Sequence, residues 1–416
     1  KKPVSATSLP GMIGAFQTEW DASVIETHML RKELEQVRNE LAHTLYQHDA
    51  ACRVIAKLIQ ERDAAVAVAN DPARRAAPAG DAMEEDGIPE VVKERMTERS
   101  QELSKGRKKR PVSELLAGEA AIQAFKEAAK FAAHQKKAAT SVAVHPKNES
   151  LVLSADTSGA AVICDRATGK AAVPIVGHKA SITHAIFHPT QDVIFTASKD
   201  STVKMWSAQG KQIHSFGMHK GEVSGVSVHA TGDYIVSTST DKSWAFCDIE
   251  QGKCLQLVQG DISGGFSASM VHPDGLILGS GTTDGMVRIW DIKSQQNVVS
   301  FTGHGGAIGS LCFSENGYYC ATTSSDGCKV WDLRKVAKQG ANAQAVTHMA
   351  GASTSAVFDN SGSYLLVASK EVKVLLAKSW AEVSTLAVAN ATAAAFGPNA
   401  LSIATASSDG IVRVFA

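Results

Sequence analysis

One set of four residue types occurs in the same order at two places: a histidine, a serine, an aspartate and a tryptophan. Such a set could hydrolyse an ester, or it could hold a turn together through hydrogen bonds. The two sets are His178, Ser198, Asp200 and Trp206, and His304, Ser324, Asp326 and Trp331. An imidazole can bridge a carboxylate and a hydroxyl, and an indole N–H can complete the chain. Because the set recurs without a G-x-S-x-G elbow, we interpret it as a buried structural network and not as a hydrolase triad.

A third, partial set supports the structural interpretation. It contains His219, Ser239 and Asp241, with Cys247 in the tryptophan place. The sequence also has no P-loop, no G-x-G-x-x-G after a strand, no H-E-x-x-H and no EF-hand loop. We therefore expect no catalytic residue, metal site or cofactor in these 416 residues.

The aspartates of these sets belong to a repeat. Turn aspartates stand at positions 156, 200, 241, 284, 326 and 409, with spacings of 44, 41, 43, 42 and 83 residues. The last spacing is about two repeats, so a degenerate repeat without its aspartate is expected at 369–374. A period of about 40 to 45 residues with Gly-His and Trp-Asp pairs is typical of WD repeats. The sequence thus predicts a seven-bladed WD-repeat β-propeller over 138–416.

The last repeat predicts how the ring closes. The chain stops on the third strand of its last blade, at Phe415. The missing outer strand is expected from just before the first blade, around 128–137. This pairing would join the two ends of the ring.

Propeller loops converge on one surface, which is where such folds bind partners. The residue before each turn aspartate is a candidate for that face. These candidates are Lys199, Thr240, Thr283, Ser325 and Ser408. Basic residues also recur near the tryptophan position, and we favour solvated strand positions over a basic ring for them. They are Lys204, Arg288, Lys329, Lys373 and Arg413.

The N-terminal residues 1–68 carry a heptad pattern. Apolar positions step by alternating threes and fours, which is typical of a coiled coil. The predicted oligomerisation seam contains Ile13, Phe16, Trp20, Leu30, Leu34, Val37, Leu41, His48, Ile55 and Leu58. Its wide apolar face favours a homotetramer or a hetero-bundle over a dimer. The alternative is a helix that packs on the propeller of its own chain.

Residues 69–137 read as a flexible linker with short helices. Prolines and glycines punctuate it, and it carries an acidic run at 84–86 and a basic run at 107–110. The basic run fits either a nuclear-localisation signal or a solvated charge cluster. We expect a short helix over 90–104 that docks on a partner, and a second helix over 113–135, amphipathic from 119 to 131.

Composition sets the broad class. The formal net charge is zero, so the overall charge predicts neither nucleic-acid nor membrane binding. No stretch reaches the roughly 20 apolar residues of a membrane span. The seven cysteines are scattered without a C-x-x-C pair, which indicates buried thiols in a reducing compartment. The chain begins without a methionine, and we expect it to be part of a longer protein.

The helix and the repeats together resemble the pre-mRNA-processing factor nineteen family. The most specific stretch is LYQHDAACRVIA at 45–56, supported by SATSLP at 5–10 and EWDA at 19–22. In the repeats, HATGDY at 229–234, DKSWAF at 241–246, HPDGLI at 272–277 and FSENGYY at 313–319 also match. The resemblance covers nearly the whole chain outside the linker.

The resemblance implies a nuclear scaffold of the spliceosomal nineteen complex. It implies that the coiled coil tetramerises and binds other complex subunits, that the propeller recruits partners or substrates, and that any RNA contact is indirect. Family members also carry an N-terminal U-box that recruits a ubiquitin-conjugating enzyme. That domain would precede Ser5, so none of its residues can be assigned here. The alternative is a non-enzymatic coiled-coil and propeller scaffold, such as a Groucho-type transcriptional co-repressor.

Overall fold

The computed structural model describes residues 88–109, 116–134, 137–166 and 168–416, together with helical positions between 13 and 32. The chain separates into two units, Lys1–Glu84 and Glu85–Ala416. In the first unit, Ile13, Phe16 and Trp20 are helical and their side chains are exposed. The other predicted seam residues, from Leu30 to Leu58, lie outside the described residues.

The second unit is a seven-bladed β-propeller, as the repeat predicts. Each blade is a four-stranded antiparallel sheet. The first strands of neighbouring blades contact each other, so they form the innermost layer of the ring. The fourth strands are therefore outermost.

The first four blades follow the chain without interruption. Blade 1 contains β2 (Ala139–Val144), β3 (Leu151–Asp156), β4 (Ala160–Asp165) and β5 (Lys170–Val176), and blade 2 contains β6 (Ile182–Phe187), β7 (Val193–Ser198), β8 (Val203–Ser207) and β9 (Gln212–Phe216). Blade 3 contains β10 (Val223–Val228), β11 (Tyr234–Ser239), β12 (Ser243–Asp248) and β13 (Lys253–Gln259), and blade 4 contains β14 (Phe266–Val271), β15 (Ile277–Thr282), β16 (Met286–Asp291) and β17 (Gln296–Thr302).

The remaining blades include the degenerate repeat and the joint between the chain ends. Blade 5 contains β18 (Ser310–Phe313), β19 (Tyr319–Ser324), β20 (Gly327–Asp332) and β21 (Thr347–Ala350), and blade 6 contains β22 (Ser355–Phe358), β23 (Tyr364–Ala368), β24 (Val372–Leu376) and β25 (Glu382–Leu386). Blade 7 combines β26 (Ala391–Phe396), β27 (Ile403–Ser407) and β28 (Val412–Phe415) with β1 (Glu127–Phe131).

Strand β1 closes the ring. It pairs antiparallel with β28, with Lys130 opposite Arg413 and Phe131 opposite Val412. The prediction of an outer strand from before the first blade is therefore confirmed, although the strand begins earlier than expected. Thr392 Oγ1 of β26 also donates to the Ala139 carbonyl oxygen at 2.6 Å, which ties the last blade to the first beside the innermost strands.

The turn between the second and third strands explains why the repeat has its aspartate and glycine. In blade 1, Asp156 Oδ1 accepts from the backbone N–H groups of Ser158 and Ala160 at 2.7 and 3.2 Å. Gly159 adopts a positive φ of 87°, and a Cβ there would lie 2.6 Å from the Ala180 carbonyl oxygen. The turn therefore requires a carboxylate and, in this blade, a residue without a side chain.

A helix before the propeller packs on the chain's own blades. Helix α1 (Glu90–Lys109) is longer than the predicted helix over 90–104. Met96 is fully buried and belongs to one apolar cluster with Trp244 of blade 3 and Trp290 of blade 4. The expectation that this helix docks on a partner is therefore wrong for its buried face, because the propeller already covers it.

The predicted helix over 113–135 is also wrong for most of its length. Among the described residues of that range, only α2 (Glu119–Gln123) is helical, and β1 follows at Glu127–Phe131. Pairing with the exposed edge of β28 overrides the helical pattern, since tertiary contacts outweigh weak local preferences. Short helical segments also occur within the propeller connections, at α3 (Leu333–Gln339) and in 3-10 turns at Gly340–Asn342 and Pro398–Ala400. None of the described helices is long and apolar enough to span a membrane.

Candidate partner-binding face

Antiparallel strands place two kinds of loop on one side of the ring. The turns between second and third strands lie on the same side as the connections from each fourth strand to the next blade. We call this side the His–Asp face. The five candidate residues occupy these turns in five blades, and all five are exposed. They are Lys199, Thr240, Thr283, Ser325 and Ser408.

In blade 2, a chain of four hydrogen-bonded side chains supports the turn beneath this face. Trp206 Nε1 lies 2.8 Å from Thr196 Oγ1, Thr196 Oγ1 lies 2.7 Å from His178 Nε2, and His178 Nδ1 lies 2.8 Å from Asp200 Oδ2. An indole nitrogen only donates and a carboxylate only accepts. The threonine hydroxyl must therefore accept from Trp206 and donate to His178, and the imidazole must donate from Nδ1 to Asp200.

The hydroxyl in this chain is not the predicted one. Ser198 Oγ instead donates to the carbonyl oxygens of Ala180 and Ser181, each at 3.0 Å. Thr196 and Ser198 are two residues apart on β7, so both side chains project from the same face of the strand. The sequence identified the correct strand face but the wrong hydroxyl along it.

Blade 5 repeats both the chain and the correction. His304 Nδ1 bonds to Asp326, and Thr322 Oγ1 lies 2.8 Å from both His304 Nε2 and Trp331 Nε1. Ser324 Oγ donates to a backbone carbonyl oxygen at 2.8 Å and stays outside the chain. Thr322 was missed for the same reason as Thr196.

The other blades keep parts of this network. In blade 3, His219 Nε2 lies 2.9 Å from Ser237 Oγ and its Nδ1 lies 2.8 Å from Ser243 Oγ. Cys247 occupies the place in blade 3 that Trp206 occupies in blade 2. Cys247 is opposite Ile235, two residues before Ser237, and Trp206 is opposite Ile194, two residues before Thr196. The serine hydroxyl of blade 3 therefore lacks the indole donor.

Electrostatics fixes the protonation states in the chain of blade 2. Burial opposes ionisation of Asp200, but hydrogen bonds from Thr202 and from the Lys179 N–H outweigh it and lower the pKa of Asp200 to about 2. Burial also lowers the pKa of His178, against the opposing effect of Asp200. A neutral imidazole therefore donates to an ionised carboxylate.

This arrangement does not provide an activated nucleophile. Thr196 is fully buried, and its proton is directed to His178 inside the blade. The Ser198 hydroxyl is directed to backbone carbonyl groups. The geometry therefore supports a structural role for the recurring set. Within the part of the chain that the structure describes, no group of three or more His, Cys, Asp or Glu residues could hold a metal ion.

The recurring basic residues bond within their own blades or to the connection that leads into the blade. Lys204 Nζ donates to the Gly177 carbonyl oxygen at 2.8 Å, and Lys329 Nζ donates to the Gly303 carbonyl oxygen at 2.9 Å. Both carbonyl groups directly precede the histidine of the network. Arg413 bonds to its own turn at Ser407 Oγ, 2.8 Å away. Arg288 bonds to Ser300 at 3.3 Å, and Lys373 pairs with Glu382 at 2.8 Å.

Replacing Thr196 with Val should destabilise the propeller by about 2 to 6 kcal/mol. The change preserves shape but leaves the Trp206 N–H and His178 Nε2 buried without a partner, at about 1–3 kcal/mol for each group. Urea unfolding of the two proteins measures the difference. Thr196→Ser is the matched control and should stay close to the original stability, because blade 3 uses a serine at this place. Equal loss in both variants would contradict the assigned hydrogen-bond chain.

A second group of histidines, which the sequence analysis missed, lies on the opposite side of the ring. His188 Nε2 donates to the Gly232 carbonyl oxygen at 2.7 Å, and His229 Nε2 donates to that of Gly275 at 2.6 Å. Each bond joins the loop after a first strand to the corresponding loop of the next blade. The signal was the recurrence of histidine directly after the first strand of successive blades.

Acidification should destabilise the folded propeller at His229, because the buried ring must take up a charge. Burial lowers the pKa of His229 to about 4 from an unfolded value of 6.5. As the pH falls below 6.5 the unfolded chain binds the proton first, so this stability is complete above that pH and is lost towards pH 4, by about 3 kcal/mol. Urea unfolding between pH 7.5 and 4.5 should show a smaller loss for His229→Gln, which keeps a donor. An equal loss of stability in the original protein and in His229→Gln would contradict this assignment.

Comparison with known protein families identifies two regions of similarity in this chain. A family model described as Prp19/Pso4-like matches residues 5–70, and a model of the WD domain, G-beta repeat, matches 170–207, 210–248, 252–291 and 295–332. Each WD match starts at or just before the fourth strand of one blade and includes three strands of the next. The sequence repeat is thus offset by one strand from the structural blade. The last blade therefore takes its fourth strand from the segment before the first blade when the ring closes.

The similarity to individual proteins extends over the whole chain. This chain is 38% identical to Pre-mRNA-processing factor 19 of Oryza sativa subsp. japonica, and the alignment covers 85% of that protein. It is 34% identical to Pre-mRNA-processing factor 19 homolog 2 of Arabidopsis thaliana, covering 85%, and 35% identical to Pre-mRNA-processing factor 19 of Homo sapiens, covering 87%. In all three comparisons, 100% of this chain is aligned.

Proposed function

Because this chain belongs to the Prp19/Pso4-like family, we propose that it is a scaffold subunit that acts in pre-mRNA splicing in the nucleus. The observation that carries the proposal is the combination of a Prp19/Pso4-like segment at 5–70 with a seven-bladed propeller in one chain. The relatives that align with the whole of this chain are named pre-mRNA-processing factors. A WD propeller alone would support only a fold, whereas the combination supports a role.

Residues 1–68 serve as the oligomerisation helix of this scaffold. The heptad pattern supports a homotetramer. Membership of the family supports binding of other subunits of the nineteen complex. Ile13, Phe16 and Trp20 agree with this role, since they are helical and more than half exposed at 55%, 74% and 74%. Large apolar side chains with such exposure need a covering surface.

The propeller recruits the partners or substrates. Its His–Asp face has turns fixed by buried hydrogen bonds, so the exposed residues at Lys199, Thr240, Thr283, Ser325 and Ser408 stand on a rigid base. A rigid surface loses little conformational entropy on binding. Blade 2 and blade 3 are further linked across this face by Lys199 and Glu222, whose charged groups are 3.0 Å apart.

Ubiquitin transfer would depend on a U-box and not on the described residues. The buried hydrogen-bond chains hold their hydroxyl groups inside the blades, and none of them offers an accessible nucleophile. We therefore assign scaffolding to the described residues, and any ubiquitin transfer to a U-box and the ubiquitin-conjugating enzyme that it recruits.

A pull-down tests the splicing role. The tagged full chain, expressed in cells of its own species, should recover spliceosomal proteins together with small nuclear RNAs. RNase treatment before elution should remove the RNAs and keep the nearest protein partners, because RNA contact is indirect in this proposal. Recovery of transcriptional repressors without spliceosomal proteins would overturn it in favour of a co-repressor.

The same pull-down tests the face. Combined Lys199→Glu, Thr240→Arg and Thr283→Arg changes should remove the propeller-dependent partners while leaving the oligomer intact. Lys338→Glu is the control on the opposite side, since it lies in α3 between the third and fourth strands of blade 5. If all partners survive the triple change, the His–Asp face is not the docking surface.

A further inference from the structure

Two cysteines that are separate in sequence face each other across the outer strands of blade 3. Cys247 of β12 and Cys254 of β13 are directly paired in the antiparallel register, next to a bulge at Phe246 and Cys247. Opposed residues in such a ladder have Cα atoms about 4.5 or 5.5 Å apart. A disulfide spans about 4.4 to 6.8 Å between Cα atoms, so either kind of pair is within reach.

The two thiols have different surroundings. Cys247 is fully buried, whereas Cys254 is exposed on the outermost strand. Cys254 Sγ lies 3.2 Å from the carbonyl oxygen of Gln256 on its own strand and 3.8 Å from that of Phe246, so it stands between β13 and the strand that carries Cys247. A hydrogen bond with Cys247 lowers the pKa of Cys254 against the effect of burial, and burial raises the pKa of Cys247. The pair thus combines an accessible thiol that ionises more readily with a protected one.

The other described cysteines lack this arrangement. Cys164, Cys312, Cys320 and Cys328 are buried, and none of them is opposite another cysteine in the described strand pairings. Burial raises the pKa of Cys164 to about 11 and that of Cys312 to about 12. A buried thiol of that kind reacts slowly with an external disulfide, because the thiolate is the nucleophile and the reagent must reach it, unless an opposed cysteine brings the disulfide to it.

We propose that Cys247 and Cys254 form a redox-active dithiol that closes into a disulfide between β12 and β13 when it meets a small-molecule disulfide such as oxidised glutathione. The Cys254 thiolate attacks one sulfur of oxidised glutathione, which breaks its S–S bond and releases one glutathione thiolate. Cys247 then attacks the Cys254 sulfur, its proton passes to solvent, and the second glutathione leaves. The protein loses two electrons and two protons, and oxidised glutathione becomes two glutathione molecules.

The fold makes this closure intramolecular. Residues 248–253 already form a tight connection between the two strands, so the dithiol needs no rearrangement of the chain to meet. The ring that the bond closes is short, and a short ring restricts the unfolded chain only a little. The main effect is therefore protection of Cys254 from further oxidation, together with a covalent link at the exposed edge of blade 3.

The test treats the full, folded chain with oxidised glutathione at neutral pH, blocks the remaining thiols and maps the peptides by mass spectrometry. The expected product is a peptide pair joined through Cys247 and Cys254, with both sites lost to alkylation. Cys254→Ser should abolish the reaction at this pair. Cys247→Ser should stop it at a stable glutathione adduct on Cys254, and Cys312→Ser, in the core of blade 5, should leave the Cys247–Cys254 product unchanged.

Mapping of the unsubstituted protein decides the result even if a variant fails to fold. A lasting glutathione adduct on Cys254 with free Cys247 would overturn the proposal, because it would mean that Cys247 cannot reach it. An unmodified Cys254 would also overturn it, as would a product seen only in urea. Circular dichroism of each treated sample confirms that the propeller remains folded during the reaction.

Discussion

Removal of β1 should abolish cooperative folding of the propeller, although the strand has only five residues, Glu127–Phe131. Phe131 is 5% exposed and packs in one apolar cluster with Val412, Val414 and Ala404 of blade 7. Without β1, β28 becomes an exposed edge strand and its unpaired backbone groups face solvent or another chain. The ring also loses its link between the two chain ends.

The same reasoning gives a point variant with a measurable cost. Phe131→Ala should destabilise the propeller by about 3 to 5 kcal/mol, the usual cost of removing a buried aromatic ring. Thermal unfolding followed by circular dichroism should show a lower midpoint and, for the full deletion of 127–131, a broad transition with aggregation.

The matched control uses another outermost strand. Val176 stands at the end of β5 in blade 1 and is 71% exposed, so Val176→Ala should leave the midpoint nearly unchanged. If Phe131→Ala and Val176→Ala had the same effect, closure by β1 would not contribute to stability. If the deletion variant melted like the full chain, the pairing of β1 with β28 would be dispensable.

The architecture could be predicted from the sequence because the repeat is periodic. Evenly spaced turn aspartates predicted seven blades, including the degenerate one, and a chain ending on a third strand predicted a supplied fourth strand. These inferences count residues and depend little on side-chain detail. In blades 1, 2, 3 and 7 the turn aspartate accepts from backbone N–H groups of its own turn, whereas blade 6 forms its turn without one.

Details that depend on reach along a strand could not be predicted. Thr196 and Ser198 have the same strand face and similar chemistry, so only coordinates distinguish which hydroxyl meets Trp206 and His178. The pairing of Cys247 with Cys254 depends on a hairpin register that includes a bulge, and a shift of one residue would separate them.

Docking of α1 could not be predicted either, because its sequence is mostly charged. Few of its described side chains are buried, and several of its contacts are polar. Arg95 lies 3.3 Å from Asp233 of blade 3, and Lys293 of blade 4 donates to Thr97 at 2.8 Å. A charged helix of this composition fits a solvated linker equally well until the surface beneath it is known.

Combined Leu34→Asp and Leu41→Asp changes should convert the oligomer to monomers while leaving the propeller folded. Both leucines occupy the predicted seam. An unpaired carboxylate buried there costs far more free energy than the packing of a leucine contributes. Light scattering should show the mass falling from that of four chains to that of one. The thermal midpoint of the propeller should not change, because none of the described residues of its core precedes Ile88.

The control adds the same charge on the outer side of the helix. Gln36→Asp and Asn39→Asp lie two residues from the leucines, roughly 200° around a helix of 3.6 residues per turn, and should keep the oligomer. An unchanged mass for Leu34→Asp with Leu41→Asp would contradict the seam. Monomers from both pairs would instead indicate that added negative charge alone separates the helices, so the position of the leucines would carry no information. Only loss of the oligomer in the first pair, with its retention in the second, supports a stripe that other chains cover.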